Sequence, residues 1–132
     1  MDLKIYVDGA ARGNPGPAGI GIAIKKGNKT VKEIAAYIGE TTNNVAEYSA
    51  LIRGLEESIK LKAKKVECFS DSELIVKQIN GEYRVKNEGL IPLFHHACSL
   101  IKKFKTFSIS HIAREKNKHA DKLANQGIDD KI

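Results

Sequence analysis

Apolar and polar residues alternate from the start of the chain. Leu3, Ile5 and Val7 are separated by Lys4, Tyr6 and Asp8, and this period of two predicts a β-strand that ends at Asp8. Ile20, Ile22 and Ile24 repeat the pattern, the polar stretch Lys26–Lys29 has turn chemistry, and Val31–Ile38 reads as a third strand, giving an antiparallel meander. The period then changes. Leu51, Leu55 and Ile59 recur every four residues and predict a helix over Val45–Leu61, with TTNN (Thr41–Asn44) as its start signal and Glu47 three residues past Asn44, as in a capping box. Val66–Ser70 predicts a fourth strand, followed by a short helix through Ile79 that Asp71 can cap. A polar loop, Asn80–Gly89, leads into an amphipathic helix marked by Leu90, Leu93, Phe94, Ala97, Ile101 and Phe104, in which Pro92 is tolerated in the first turn. Thr106–Ile112 is a fifth strand, and His119–Gln126 a last helix with Gly127 as its stop and a frayed DDKI (Asp129–Ile132) beyond it.

The connection from the third strand through the long helix has the length of a crossover, so the fourth strand can lie parallel to the first. The expected architecture is a single α/β domain over residues 1–132, one sheet of about five strands flanked by helices. With 42% hydrophobic residues the chain can fill one core without disulfides. Cys68 and Cys98 have no partners at metal-site spacing and read as reduced core thiols, which points to a cytoplasmic protein; no apolar run is long enough to span a bilayer. The net charge of +6 favours polyanionic partners.

Against that positive balance, acids occupy four informative places. Asp8 and Asp71 follow the two strands expected to be parallel neighbours, at the carboxyl ends where open α/β sheets bind ligands. Glu47 and Asp121 fall at the starts of the long helix and the last helix, where negative charge is favourable. Singly, each has an ordinary use as a cap or turn former. Together in one crevice, carboxylates about 5 Å apart repel by roughly 3 kcal/mol per pair at an effective dielectric near 20, so they call for protons or cations. An all-oxygen set selects a hard divalent ion, magnesium or manganese.

YVDGAARGNPGPAG (Tyr6–Gly19), TTNNVAEYSAL (Thr41–Leu51), FSDSELIV (Phe69–Val76) and REKNKHADKLAN (Arg114–Asn125) stand in the order found in the type-1 ribonucleases H, and the chain resembles that family over nearly its whole length. The resemblance implies a ribonuclease H-like fold, a mixed sheet of order 3-2-1-4-5, and endonucleolytic cleavage of the RNA strand of RNA/DNA hybrids to 5′-phosphate and 3′-hydroxyl ends. It implies catalytic, metal-holding roles for Asp8, Glu47, Asp71 and Asp121. Two Mg2+ ions, with Mn2+ as a possible substitute, would sit about 4 Å apart and clamp both oxygens of an in-line displacement. In that scheme Asp8 bridges the two ions, Asp121 serves the one that activates water, and Glu47 and Asp71 serve the one at the leaving oxygen. Gly9, Asn14, Asn43 and Asn44 match substrate-contacting positions, and Thr42 matches one that holds a DNA phosphate. Small polar residues and glycines suit a site that must approach the 2′-hydroxyl in the wide minor groove.

The chain also departs from the family pattern. His119 lies two residues before Asp121 and is expected to point away from it, while Arg114 takes a place that compact members fill with an arginine able to meet the scissile phosphate without acting as a base. His95, His96 and His111 read as structural. The chain has no tryptophan and only the loop Asn80–Gly89 where many relatives insert a basic protrusion, so it resembles the compact subgroup. Arg84, Lys86 and the KKFK cluster compensate in part, and hybrid binding is expected to be weaker and more salt-sensitive. A monomer is expected, with duplex RNA as a second possible substrate. The alternatives are a module that binds RNA or hybrids without cutting them, and another nuclease of the same superfold.

Overall fold

The structure, a computed structural model, describes residues 1–131. Three antiparallel strands open it: β1 (Asp2–Ala11), β2 (Gly16–Lys26) and β3 (Lys29–Thr41). Helix α1 (Asn43–Lys60) then crosses to β4 (Lys65–Ser70), which pairs parallel to β1 from Asp2↔Lys65 to Val7↔Ser70. Two helices, α2 (Glu73–Ile79) and α3 (Ile91–Ile101), lead to β5 (Thr106–His111), parallel to β4, and a single 3-10 turn (Arg114–Lys116) precedes α4 (Lys118–Asp129). The sheet order is β3-β2-β1-β4-β5, the order that the sequence led us to expect.

Strand alternation divides the sheet into two faces. Leu3, Ile5 and Val7 of β1 join Ile20, Ile22 and Ile24 of β2 in the main core, which Leu51 and Leu55 of α1 and Ala97 of α3 close. On the opposite face α4 lies directly on β2. A Cβ on Gly21 would come within 2.1 Å of the Ala120 carbonyl oxygen, so only a residue without a side chain admits the helix at this depth. Gly127 serves the same contact from the helix side. It is buried inside α4, where a Cβ would meet the Ala36 carbonyl at 2.5 Å, so the expected helix stop is instead a packing position and α4 continues to Asp129. The Asp130 and Lys131 amides still bond to the Gln126 and Ile128 carbonyls, so these residues of the expected frayed end remain tied to the helix; Ile132 lies outside the described residues.

Three further expectations shift at element ends. The strand β1 does not stop at Asp8: it runs to Ala11 on β2, and what ends after Val7 is its pairing with β4. Helix α1 begins at Asn43 because Thr42 caps it, its Oγ1 accepting from the Val45 amide at 3.3 Å, which moves Glu47 from the first turn to the second and dissolves the Asn44–Glu47 capping box. Ser72, and not Asp71, caps α2 through a 3.3 Å bond from the Ile75 amide. Each shift frees an acid from a local structural task. Among the described residues, no helix is long and apolar enough to cross a membrane.

Candidate active site

The cleft opens where β1 loses β4 as a neighbour. Asp8 is the first residue past the last β1–β4 pair and sits opposite Gly21, so its side chain lies on the α4 face of the sheet. Asp71 follows the end of β4 directly. Glu47 arrives from the other face on α1, which approaches β1 so closely that a Cβ on Gly9 would lie 2.2 Å from the carbonyl carbon and oxygen of Ala46. The gap that glycine leaves is also what lets the Gly9 amide donate to Glu47 Oε1 at 2.6 Å. Gly9, read from the sequence as a substrate contact, is in the structure the residue that seats α1.

One oxygen from each of Asp8, Glu47 and Asp71 falls within 4.8 Å of the others. Asp8 is 5% exposed and Glu47 7% exposed. Burial first, and then the charges of Glu47, Asp71 and Asp121, push the Asp8 carboxyl well above the usual carboxylate range. Burial also raises Glu47, opposed by the Gly9 amide and, more weakly, by Arg114. Asp121 reaches the cleft from α4, on the face that the Asp8 side chain shares, and enters through contact with Asp8 while lying outside the three-acid cluster. Arg114 stands exposed at the rim of a cleft of about 280 Å³ that it shares with the three clustered acids, Asn43 and Ser72.

These donors fit hard divalent cations. They are carboxylate oxygens throughout, burial makes Asp8 and Glu47 resist ionisation alone, and among the described residues no lysine lines the cleft. Asp8, Glu47, Asp71 and, beside Asp8, Asp121 are the residues that would hold such ions.

The expected substrate residues line the approach. Asn14 Oδ1 accepts from the Asn43 amide at 3.1 Å, and Asn43 Oδ1 accepts from the Ala11 amide at 3.3 Å, so these two side chains lock the GNPG turn against the start of α1. Asn14, Thr42 and Asn44 also line a second hollow of about 270 Å³, together with Asn87 and Gly89 from the loop before α3. Asn87 had no signal in the sequence beyond its place in a polar loop. His119 does point away from the acids, as expected: its Nε2 meets Glu33 on β3. The sequence reading missed Asn117, whose fully buried amide bonds to Asp71 Oδ2 at 3.3 Å. Its only signal was an asparagine just before a helix, which ordinarily marks a cap.

Comparison with known proteins bears on the family and the fold. A family described as reverse transcriptase-like matches residues 6–127. A crystal structure of RNase H1 from the halophilic archaeon Halobacterium salinarum superposes with a TM-score of 0.96 at 39% identity, covering 98% of this chain and 99% of that one. The chain belongs to the ribonuclease H family. A second ribonuclease H1, named LC11 and crystallised in complex with an RNA/DNA hybrid, is 47% identical with a TM-score of 0.90 over 96% of both chains. The bifunctional protein Rv2228c of Mycobacterium tuberculosis is 39% identical over 131 residues, 98% of this chain. The chain spans only 36% of that relative's length. Among ribonucleases H it is of the compact kind, with a loop of 11 residues (80–90) between α2 and α3.

Proposed function

We propose that this ribonuclease H domain cuts the RNA strand of RNA/DNA hybrids, and that it requires two Mg2+ ions, which Mn2+ can replace. The observation that carries the reading is the meeting of Asp8, Glu47 and Asp71, from a strand, a helix and a strand end, within 4.8 Å. A protein that only bound nucleic acid would gain nothing from mutually repelling acids at the centre of its groove. When bound, divalent ions would supply the activation of the attacking water and the stabilisation of the leaving oxygen.

The chain's own residues do the rest. Asp8, Glu47, Asp71 and Asp121 would offer their carboxylate oxygens to the ions, and the Gly9 amide keeps Glu47 turned inward. The GNPG turn and the start of α1, held together by Asn14 and Asn43, offer small polar groups close enough to contact the 2′-hydroxyls of the RNA strand. The hollow between Thr42, Asn44 and Asn87 offers a hydroxyl and side-chain amides over the apolar Val45 and Leu90 and carries no acid, which suits a phosphate of the DNA strand. Arg114 at the rim is placed to neutralise the phosphate being cleaved, and a guanidinium cannot act as the general base.

The test is cleavage of an end-labelled RNA/DNA hybrid, with duplex DNA and duplex RNA alongside, in magnesium and then in chelator. Cutting confined to the RNA strand of the hybrid and abolished by chelator supports the reading. Hybrid binding without cutting would return the protein to the binding-module alternative.

A further inference from the structure

Asn117 occupies the N-cap position of α4, where an asparagine normally accepts a hydrogen bond from the first turn of its own helix, yet its side chain makes no capping bond. It turns inward and is 1% exposed. There its Nδ2 donates to the Val7 carbonyl at 3.0 Å and to Asp71 Oδ2 at 3.3 Å. Both partners are acceptors, so the amide can sit only one way round: rotated by half a turn, it would set Oδ1 against two oxygens. The consequence is visible, because Asn117 Oδ1 is a buried side-chain atom with no hydrogen-bond partner. A cap forgone and an acceptor left unpaired are both unfavourable, so the two bonds donated to Val7 and Asp71 are what hold this side chain inward.

The three segments that meet at Asn117 each carry a clustered or adjoining acid. Val7 precedes Asp8 at the last β1–β4 pair, Asp71 is bonded directly, and the Asn117 carbonyl accepts from the Asp121 amide at 3.1 Å in the first turn of α4. Among the described residues no other donor reaches the Asp71 carboxylate. We propose that Asn117 is a positioning residue: its amide fixes Asp71 in the orientation that a divalent ion requires and registers the start of α4 against the end of β1. The inference builds on the metal-dependent reading of the site, but it concerns how the acids are held and not what is cut.

The test is a mutant cycle read by calorimetric titration of Mn2+ into the metal-free domain, without nucleic acid. Asn117→Ala should weaken ion binding by about 10-fold or more, the usual effect of losing a group that orients a ligand. In an Asp71→Asn background the same substitution should change ion affinity by less than about 2-fold, because the carboxylate it orients is already gone. With hybrid substrate, Asn117→Ala should lower kcat and leave KM nearly unchanged. Asn117→Ser, whose hydroxyl can cap α4 but is too short to reach Asp71, should behave as the alanine variant does and guards against a failure to fold. Wild-type ion affinity in a folded variant, an equal loss in both backgrounds, or failure of both variants to fold would each overturn the proposal in favour of a purely structural role. A wild-type domain that binds Mn2+ but leaves hybrids intact would instead count against the activity and leave the cycle to be read on its own.

Discussion

The Gly9 amide donates to Glu47 Oε1 at 2.6 Å, across a gap between β1 and α1 that only glycine can leave. Backbone approach and acid orientation are therefore one contact. Gly9→Ala must push α1 outward and lengthen this bond together. Overpacking of this kind costs about 1–3 kcal/mol, and the displaced Glu47 should lower hybrid cleavage by at least roughly 100-fold, since misplacement by about 1 Å has effects of that size. Thermal unfolding and single-turnover cleavage measure the two effects separately.

Removing one acid should help the fold and end the chemistry. Asp8→Asn removes a buried carboxyl that burial first, and then Glu47, Asp71 and Asp121, oblige to take up a proton on folding. In chelator near neutral pH, the thermal midpoint should rise by roughly 4–8 °C, equivalent to about 1–2 kcal/mol of that cost relieved. Magnesium should raise the wild-type midpoint by mass action and leave that of the variant nearly unmoved. Cleavage by the variant should be undetectable, whereas hybrid binding should persist.

Stability should respond to pH in two opposed ways. Glu57 is 2% exposed in α1, and hydrogen bonds from Lys32, and then from Lys60 and Arg53, bring its carboxyl down to about 2 from an ordinary 4.5. Because the unfolded chain binds that proton more readily, the stabilisation is present above about pH 4.5 and is lost as pH falls toward about 2. Asp8 and Glu47 act with the opposite sign. Their raised values mean that the folded, metal-free protein holds protons the unfolded chain has released, so stability falls as pH rises from the ordinary carboxylate range through neutrality. Urea titrations in chelator should show a maximum on the acid side of neutrality. Glu57→Gln should flatten the acid limb, and saturating magnesium should flatten the other. A metal-free domain whose stability climbs steadily to pH 8 would contradict the crowding of these acids.

With no tryptophan in the chain, hybrid binding must lean on cations. Arg84→Ala and Lys86→Ala are each expected to reduce the slope of log affinity against log salt by about 1 if they contact phosphates. Fluorescence anisotropy over a range of salt concentrations measures this, and neither variant should alter the cleavage rate of bound substrate.

Much of this was legible in the sequence because periodicity and punctuation were strong. Alternation gave the strands, the four-residue spacing of Leu51, Leu55 and Ile59 gave α1, and the placing of acids after strands gave the cleft. The misreadings cluster where a residue type has two physical uses. Gly127 has the chemistry of a helix stop and is used for contact with Ala36; Asp71 is a good cap, and Ser72 beside it takes that task. Glu47 stood at capping-box distance from Asn44, yet Thr42 starts the helix earlier. Asn117 was hidden for the same reason, since nothing local distinguishes an asparagine that caps from one that turns inward to meet Val7 and Asp71, residues far away along the chain.

The most direct test of a metal-dependent hybrid nuclease built on these acids is single-turnover cleavage of an end-labelled RNA/DNA hybrid by the wild type and Asp71→Asn, with magnesium titrated from zero to saturation. Cutting of the RNA strand alone, rising with magnesium in the wild type and lost in the folded, hybrid-binding variant, is the predicted result. Equal cutting by the two proteins, or cutting that persists in chelator, would contradict it.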